Sequence, residues 1–114
     1  MRTKVTVLSV VAADDVGKVI HRVLCEGQAE GGTLQAVGYA TIEEIKLVDG
    51  RYLNDRLATY IIPTALDAPR LETILVEAPF EDAPHGAKGV GELPMDVGAP
   101  AVIAAIHDAV GAWV

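Results

Sequence analysis

The stretch KVTVLSVVAA, residues 4–13, predicts a β-strand, because β-branched and other apolar residues fill it almost without interruption. An apolar run of this kind is typical of a strand that is buried on much of both faces. Asp14 and Asp15 close the run, and Gly17 marks a turn that extends to Lys18. We therefore expect the chain to begin with a sheet strand that ends in a tight turn.

A long helix is predicted to follow, from about Leu24 to about Glu44. Small residues recur at helical spacing on one of its faces: Ala29, Thr33, Ala36, Val37 and Ala40. Four glycines lie inside the same segment: Gly27, Gly31, Gly32 and Gly38. Each costs about 1 kcal/mol of helix stability relative to alanine. Close packing against another backbone, or against a ligand, would explain why the helix contains them.

The remaining pattern predicts a hairpin at 45–53, a strand at Leu71–Ala78 and a second helix at Ala99–Val110. The pair Asp49-Gly50 favours a type I′ turn in the hairpin, and Gly111 is a natural helix stop. Residues 60–64 form a short apolar piece that we expect to be extended. The predicted class is α+β in a single domain over residues 1–114: a small, mostly antiparallel sheet with two helices packed on one face.

Composition limits the partners that this chain is expected to have. The 114 residues carry a net charge of −7 without a Lys/Arg cluster, which argues against nucleic acid or an anionic membrane. No apolar run approaches the length that a bilayer requires, and Ser9 interrupts the N-terminal run, unlike a secretion signal. The single Cys25 and three scattered histidines predict no internal disulfide and no metal site. We expect a cytoplasmic domain.

The loop PHGAKGVGELP, residues 84–94, is the strongest functional signal in the chain. It places Glu92 after Gly89 and Gly91, and glycine lets a backbone approach a ligand closely. Such a loop can hold a carboxylate beside a bulky ligand, although most loops of this composition only connect elements. It lacks the spacing of a phosphate-binding loop and of the dinucleotide fingerprint. Lys88 is left outside the candidate site, because exposed lysines commonly bind neither phosphate nor carboxylate.

Eight short motifs, taken in order, resemble the molybdenum hydroxylases, a family that includes xanthine dehydrogenases, aldehyde oxidases and aldehyde oxidoreductases. They are VAADDVGK at 11–18, EGQAEGG at 26–32, DGR at 49–51, YIIPTA at 60–65, DAP at 67–69, GAKGVGE at 86–92, APA at 99–101 and DAVG at 108–111. The resemblance covers essentially the whole chain, and it is to the C-terminal piece of the family's large molybdenum-binding subunit.

The resemblance implies an enzyme that hydroxylates an aldehyde or a nitrogen heterocycle with oxygen derived from water. It implies a molybdenum–pterin cofactor, with an iron–sulfur cluster and a flavin on other domains or subunits, since a lone Cys25 cannot ligate a cluster. The implied partners are the remainder of the molybdenum subunit, the iron–sulfur and FAD subunits or domains, and the small-molecule substrate. The isolated chain is then expected to be inactive, and to self-associate or need a partner.

The resemblance also assigns roles to individual residues. Glu92 matches the catalytic glutamate and would act as the general base. The expected cofactor-binding residues are Gln28, Gly89, Val90 and Gly91, and no metal ligand is assigned. The Gln28 amide can both donate and accept, which suits the polar edge of a pterin. One departure is His21-Arg22, where the family commonly has Asn-Pro, and this change can alter the entry into the helix.

Three hypotheses stay open at this point. The chain is the catalytic-base segment of a molybdenum hydroxylase, a non-catalytic relic or interaction domain of the same fold, or a small acidic α+β module that binds a ligand or oligomerises. The intact Gly-Val-Gly-Glu at 89–92, together with Gln28, favours the first hypothesis over the second.

Overall fold

The computed structural model describes residues 4–114 and contains the main elements that the sequence predicts. In chain order they are β1 (Ser9–Asp15), α1 (Arg22–Thr41), β2 (Leu47–Val48), β3 (Arg51–Tyr52), β4 (Arg70–Val76), a 3₁₀ turn (Pro84–Gly86), α2 (Leu93–Asp96) and α3 (Gly98–Val110). The short helix α2 was not predicted, and the expected extended piece at 60–64 belongs to no strand.

The larger sheet is parallel, which corrects one detail of the prediction. β1 pairs with β4 in parallel, with Ser9 opposite Arg70 and Asp15 opposite Val76. The strands β2 and β3 pair antiparallel in the hairpin, where Asp49 (φ 50°) and Gly50 (φ 74°) both adopt the positive φ of a type I′ turn. The α+β class is confirmed. β1 and β4 can pair in parallel because α1 and the hairpin between them form the long crossover connection that parallel strands require.

Residues 4–114 cover only one face of the parallel sheet. Val10 and Ala12 of β1 are half-buried and Asp14 is buried, whereas Val11 and Ala13 on the opposite face are exposed. The expectation that β1 is buried on much of both faces is therefore wrong for the chain by itself. Parallel sheets are normally covered on both faces, so the open face departs from the usual arrangement.

Helix α1 packs through a face that is almost free of bulky side chains. Its buried residues are Ala29, Gly32, Thr33, Ala36, Val37 and Gly38. A Cβ on Gly32 would lie 2.9 Å from the Cβ of Pro94 in α2, and one on Gly38 would collide with the ring of Pro63. At the other crossing, a Cβ on Gly98 of α3 would collide with Ala36. Close backbone packing thus explains Gly32 and Gly38, as the sequence suggested.

The chain exposes more surface than a self-contained protein of its mass. Its accessible surface is 8584 Å² for 12.0 kDa, whereas about 6,000 Å² is typical of a folded monomer of that mass. Its radius of gyration is 16.7 Å, against about 13 Å for a compact domain of this length. Large apolar side chains, such as Leu8 at 80% and Leu66 at 97%, lie exposed. Residues 4–114 therefore leave much of their own apolar surface uncovered.

The C-terminal helices qualify the expectation that no apolar stretch approaches bilayer length. The 18 residues Leu93–Val110, across α2 and α3, have a mean hydropathy of 1.2. By length and composition alone, this stretch is long and apolar enough to cross a membrane. A single stretch of this kind is weak evidence for a membrane span. A turn at Val97 separates α2 from α3, and both helices pack against α1.

The neighbours Gly31 and Gly32 of α1 provide a matched test of this packing. Gly32→Ala should destabilise the chain by about 1–3 kcal/mol, because its methyl group overlaps the rigid ring of Pro94. Gly31→Ala meets no atom within 4 Å and should stabilise α1 by up to about 1 kcal/mol. Denaturant unfolding of the two variants measures both changes. Equal stability of the two variants would contradict the packing.

Asp14 is a buried carboxyl group whose Oδ2 has no hydrogen-bond partner among residues 4–114. It is 5% exposed, and burial raises its pKa above the usual 3.8. Thr33 Oγ1, on the buried face of α1, is likewise without a partner in the described chain. A raised pKa in the folded state means that ionisation of Asp14 opposes folding above pH 3.8.

Asp14→Asn should therefore raise the melting temperature at pH 7, because the amide has the same shape and carries no charge to desolvate. The gain should shrink as the pH falls toward and below 3.8, where Asp14 is protonated in both the folded and the unfolded chain. Thermal unfolding of both proteins from pH 3 to pH 7 checks this. A difference that does not depend on pH would contradict the desolvation argument.

Candidate functional site

The loop singled out by the sequence begins with the 3₁₀ turn. His85 (φ 56°) and Gly86 (φ 75°) both adopt positive φ, which reverses the chain direction. The carbonyl oxygen of Gly86 accepts hydrogen bonds from the backbone N–H groups of Lys18 (2.9 Å) and Phe80 (3.1 Å). The loop is therefore attached at its start to the turn that follows β1.

That turn and the loop cross at backbone distance. Lys88 N–H donates to the Val16 carbonyl at 3.0 Å, and Gly17 forms an isolated bridge with Ala87. Gly17 has φ 66°, and a Cβ there would collide with the Gly86 carbonyl oxygen and lie 2.9 Å from the Lys88 nitrogen. Glycine at position 17 is thus required twice, for its φ and for the close approach.

Lys88, left outside the candidate site on the sequence pattern, forms an ion pair across this crossing. Its Nζ lies 2.6 Å from Oδ2 of Asp15, and the two side chains are only 36% and 41% exposed. The other oxygen, Oδ1, accepts the Gly17 N–H at 3.0 Å. The hydrogen bond from Lys88, and next that from Gly17, hold the pKa of Asp15 below its usual value. The partners are 73 residues apart, so no local pattern reveals the pair.

Gln28 reaches the middle of the loop from α1. Its Nε2 donates to the carbonyl oxygen of Gly91 at 2.9 Å. The structure thereby brings together two residues that were predicted from the sequence to bind the cofactor. The amide hydrogen bond also gives Gln28 a second role, which is to hold the loop backbone against α1.

Glu92 follows at the end of the loop and immediately precedes α2. Its carbonyl oxygen accepts the Met95 N–H at 3.0 Å, and the contact between Pro94 and Gly32 fixes the chain just beyond it. The Glu92 side chain is exposed. Its carboxylate makes no hydrogen bond or ion pair with any other residue in the 4–114 range. The backbone at Glu92 is therefore held while the acid group is unused by the described chain.

Contacts among residues 4–114 do not explain why positions 89 and 91 are glycine. Neither has positive φ, and a Cβ on either would meet no atom within 4 Å. The same holds for Gly27 and Gly31, which flank Gln28 on α1. Val90 is half-buried between the two loop glycines. Bare backbone on this side leaves room for a bulky group to approach both the loop and the helix.

The larger grooves of the chain lie elsewhere. One of about 610 Å³ separates residues 4–11 from α3, and another of about 660 Å³ includes Pro63 and Leu66. Neither is lined by Gln28 or Glu92. A binding pocket usually encloses most of its ligand, and the loop and α1 by themselves enclose no such pocket among residues 4–114.

The histidines and the cysteine make local contacts. His21 caps α1, with its Nδ1 accepting the Leu24 N–H at 3.3 Å, so the departure from Asn-Pro still provides a helix start. His107 stacks on Trp113, with ring centroids 4.0 Å apart. Cys25 is half-buried and unpaired. From residue 4 onward, no group of three or more His, Cys, Asp or Glu side chains is placed to hold a metal ion.

This chain is similar to curated proteins that are much longer. It is 40% identical over 98 residues to a probable xanthine dehydrogenase subunit from Bacillus subtilis (strain 168), a match over 86% of this chain and 13% of that protein. It is 37% identical over 99 residues to the carbon monoxide dehydrogenase large chain of Afipia carboxidovorans, a match over 86% and 12%. The chain thus spans about one eighth of the length of these relatives.

Solved structures give the same relationship in three dimensions. Quinoline 2-oxidoreductase from Pseudomonas putida 86 superposes with a TM-score of 0.85 at 37% identity, over 93% of this chain and 14% of that one. The aldehyde oxidoreductase of Desulfovibrio desulfuricans ATCC 27774 superposes with a TM-score of 0.84 at 34% identity, over 96% and 12%. The fold described above therefore corresponds to a small segment of these larger chains.

The profile of the molybdopterin cofactor-binding domain family matches residues 2–69, which is more than half of the chain. The match includes β1, the Gly17 turn and α1 with Gln28. Similarity to the longer relatives extends it across most of the sequence. The chain therefore belongs to the molybdopterin cofactor-binding domain family, as a segment of a molybdenum subunit of the xanthine dehydrogenase and aldehyde oxidase type.

Proposed function

We propose that this chain is the C-terminal catalytic-base segment of a molybdenum hydroxylase, and that Glu92 is the general base. The observation that supports the proposal is the state of Glu92. Its backbone is held by the Gln28–Gly91 hydrogen bond on one side and by Pro94 on the other, while its carboxylate is exposed and makes no polar contact with residues 4–114. A rigidly placed, unused acid is what proton transfer requires.

The residues around Glu92 fit a large cofactor. Gly89 and Gly91 leave the loop backbone bare, and Gly27 and Gly31 do the same beside Gln28. Backbone N–H and C=O groups of the loop can meet the polar edge of a pterin, the glycines of α1 leave space for it, and Gln28 Oε1 remains available as an acceptor. When bound, the molybdenum–pterin group supplies the redox chemistry, and an iron–sulfur cluster and a flavin on other domains or subunits carry the electrons away.

Glu92 handles the proton in this scheme. A carboxylate oxygen of Glu92 accepts the proton of the water-derived nucleophile as that nucleophile attacks the aldehyde or heterocycle. The contribution of a general base is about 10²–10⁴ in rate. Glu92 is exposed in the chain alone, and the walls supplied by the rest of the subunit would remove water from it. Desolvation raises the pKa of a carboxyl group and makes it a better proton acceptor near neutral pH.

The remainder of the molybdenum subunit is the proposed partner of this segment. The chain exposes about 2,600 Å² more surface than a typical monomer of its mass, which is about as much as one partner buries in a large obligate interface. The uncovered sheet face with Val11 and Ile74, at 61% and 46% exposure, is part of this excess. A pure interaction module would use the same surface, so catalysis must be tested at Glu92 itself.

In the complete enzyme, Glu92→Gln should lower kcat by at least about 10² and leave KM and the molybdenum content close to wild type. The amide keeps the size and geometry of the side chain and cannot accept a proton at neutral pH. Steady-state kinetics with metal analysis measures these quantities. A variant that retains more than about a tenth of wild-type kcat would exclude the base role and favour the interaction module.

Gln28→Ala, on α1 beside the same loop, is the matched control. It removes the hydrogen bond to Gly91 and the amide contact to the cofactor, and leaves the carboxylate of Glu92 in place. Cofactor occupancy should fall, and activity per bound molybdenum should fall less than in Glu92→Gln. The opposite ranking of the two variants would reverse the roles assigned to these residues.

The isolated 114-residue chain should bind no molybdenum–pterin cofactor and show no hydroxylase activity, because it contributes one wall of the site. Its exposed apolar surface should also cause it to self-associate. Metal analysis, pterin fluorescence and light scattering of the purified chain check these expectations. Stoichiometric molybdenum, or a strict monomer at high concentration, would contradict them.

A further inference from the structure

We propose that Lys88 is a positioning residue for Glu92, acting through its ion pair with Asp15. The inference rests on the proposed function of Glu92 and assigns a role to a residue that the sequence pattern left outside the site. Lys88 is the last residue before the span 89–91. A Cβ on either glycine of this span would lie more than 4 Å from any neighbouring atom, so no close packing restrains the span there. Glycine has more conformational freedom than any other residue, so the residues at the ends of this span decide where it lies.

Two contacts fix the orientation of Lys88. Its N–H donates to the Val16 carbonyl at 3.0 Å, which locates the backbone. Its Nζ contacts Asp15 Oδ2 at 2.6 Å, which prevents the residue from rotating about the first contact. Together they set the direction in which the chain enters Gly89, and Gln28 then holds it at Gly91. Loss of the ion pair would leave one hydrogen bond at the upstream end of the loop.

Asp15 is itself rigid, which makes it an effective anchor. It is the last residue of β1, paired opposite Val76, and its Oδ1 accepts the Gly17 N–H at 3.0 Å. The charge of Lys88 therefore connects the loop to the end of the sheet rather than to a mobile side chain. The same turn contains Lys18, whose Nζ lies 3.4 Å from Glu77, beyond the end of β4. Lys18 has the same charge and a similar ion pair, but its side chain does not hold the loop.

The test compares Lys88→Met with Lys18→Met in the complete enzyme. Both changes keep the aliphatic stem and remove one charge, from the loop in Lys88→Met and from the Gly17 turn that crosses it in Lys18→Met. Hydrogen exchange of peptides covering residues 84–94 should become about 2- to 5-fold faster in Lys88→Met, as expected for a partly exposed ion pair, and stay near wild type in Lys18→Met. Asp15→Asn keeps an acceptor for Gly17 N–H and should match Lys88→Met. The double variant should exchange no faster than either single one.

Turnover provides the second readout. Lys88→Met should lower kcat several-fold, with KM and molybdenum content near wild type, and Lys88→Arg should restore kcat because arginine renews the pair with Asp15. Equal effects of Lys88→Met and Lys18→Met on both exchange and kcat would overturn the inference.

The two proposals fail separately. Faster loop exchange in Lys88→Met combined with a fully active Glu92→Gln enzyme would overturn the base assignment, and the loop clamp by Lys88 would be supported. Unchanged exchange in Lys88→Met combined with an inactive Glu92→Gln enzyme would overturn the positioning role of Lys88 alone.

Discussion

The crossing between the Gly17 turn and the loop at residues 86–88 is the contact on which the candidate site depends. Backbone hydrogen bonds join the two segments in both directions, from Lys18 to Gly86 and from Lys88 to Val16. The segments come so close that a single Cβ on Gly17 would overlap the loop backbone. Because β1 is paired with β4 along its whole length, the crossing transfers the rigidity of the sheet to a loop that would otherwise be flexible.

Small residues on α1 extend this principle of close backbone approach. Gly32 accommodates Pro94, and Ala36 accommodates Gly98, so α2 and α3 come near the helix axis. The consequence is a thin core: Val16, Ala29, Ala36, Val37 and Val102 are its buried apolar residues. Close packing of small groups fixes geometry well but buries little apolar area, so hydrophobic burial among residues 4–114 contributes little stability for a chain of this length.

Two adjacent acids at the end of β1 show how a strand separates environments. Asp14 faces the interior, where burial raises its pKa. Asp15 faces the loop, where Lys88 and the Gly17 N–H lower its pKa. Successive side chains of a strand point to opposite faces. The two neighbouring acids therefore differ in solvent exposure, in hydrogen-bond partners and in the direction of their pKa shifts. Asp15 thereby remains charged and able to hold Lys88.

The sequence by itself determined the order of the elements and the identity of the loop. Periodicity located α1 and α3, Asp49-Gly50 defined the hairpin turn, and Gly111 ended α3 with its N–H bonded to the His107 carbonyl. Ordered motifs indicated the family. These features are local, because each depends on residues within one or two turns of chain.

Only the tertiary structure decided the rest, since it depends on residues far apart in sequence. Strand direction followed from the path of the crossover, and the Lys88–Asp15 pair spans 73 residues. Gln28 donates to the Gly91 carbonyl because α1 lies beside the loop. The exposure of one face of β1 depends on which elements pack against the sheet, and the sequence of the strand does not show this. The local sequence pattern predicts helices, strands and turns, whereas tertiary packing determines which distant residues come into contact.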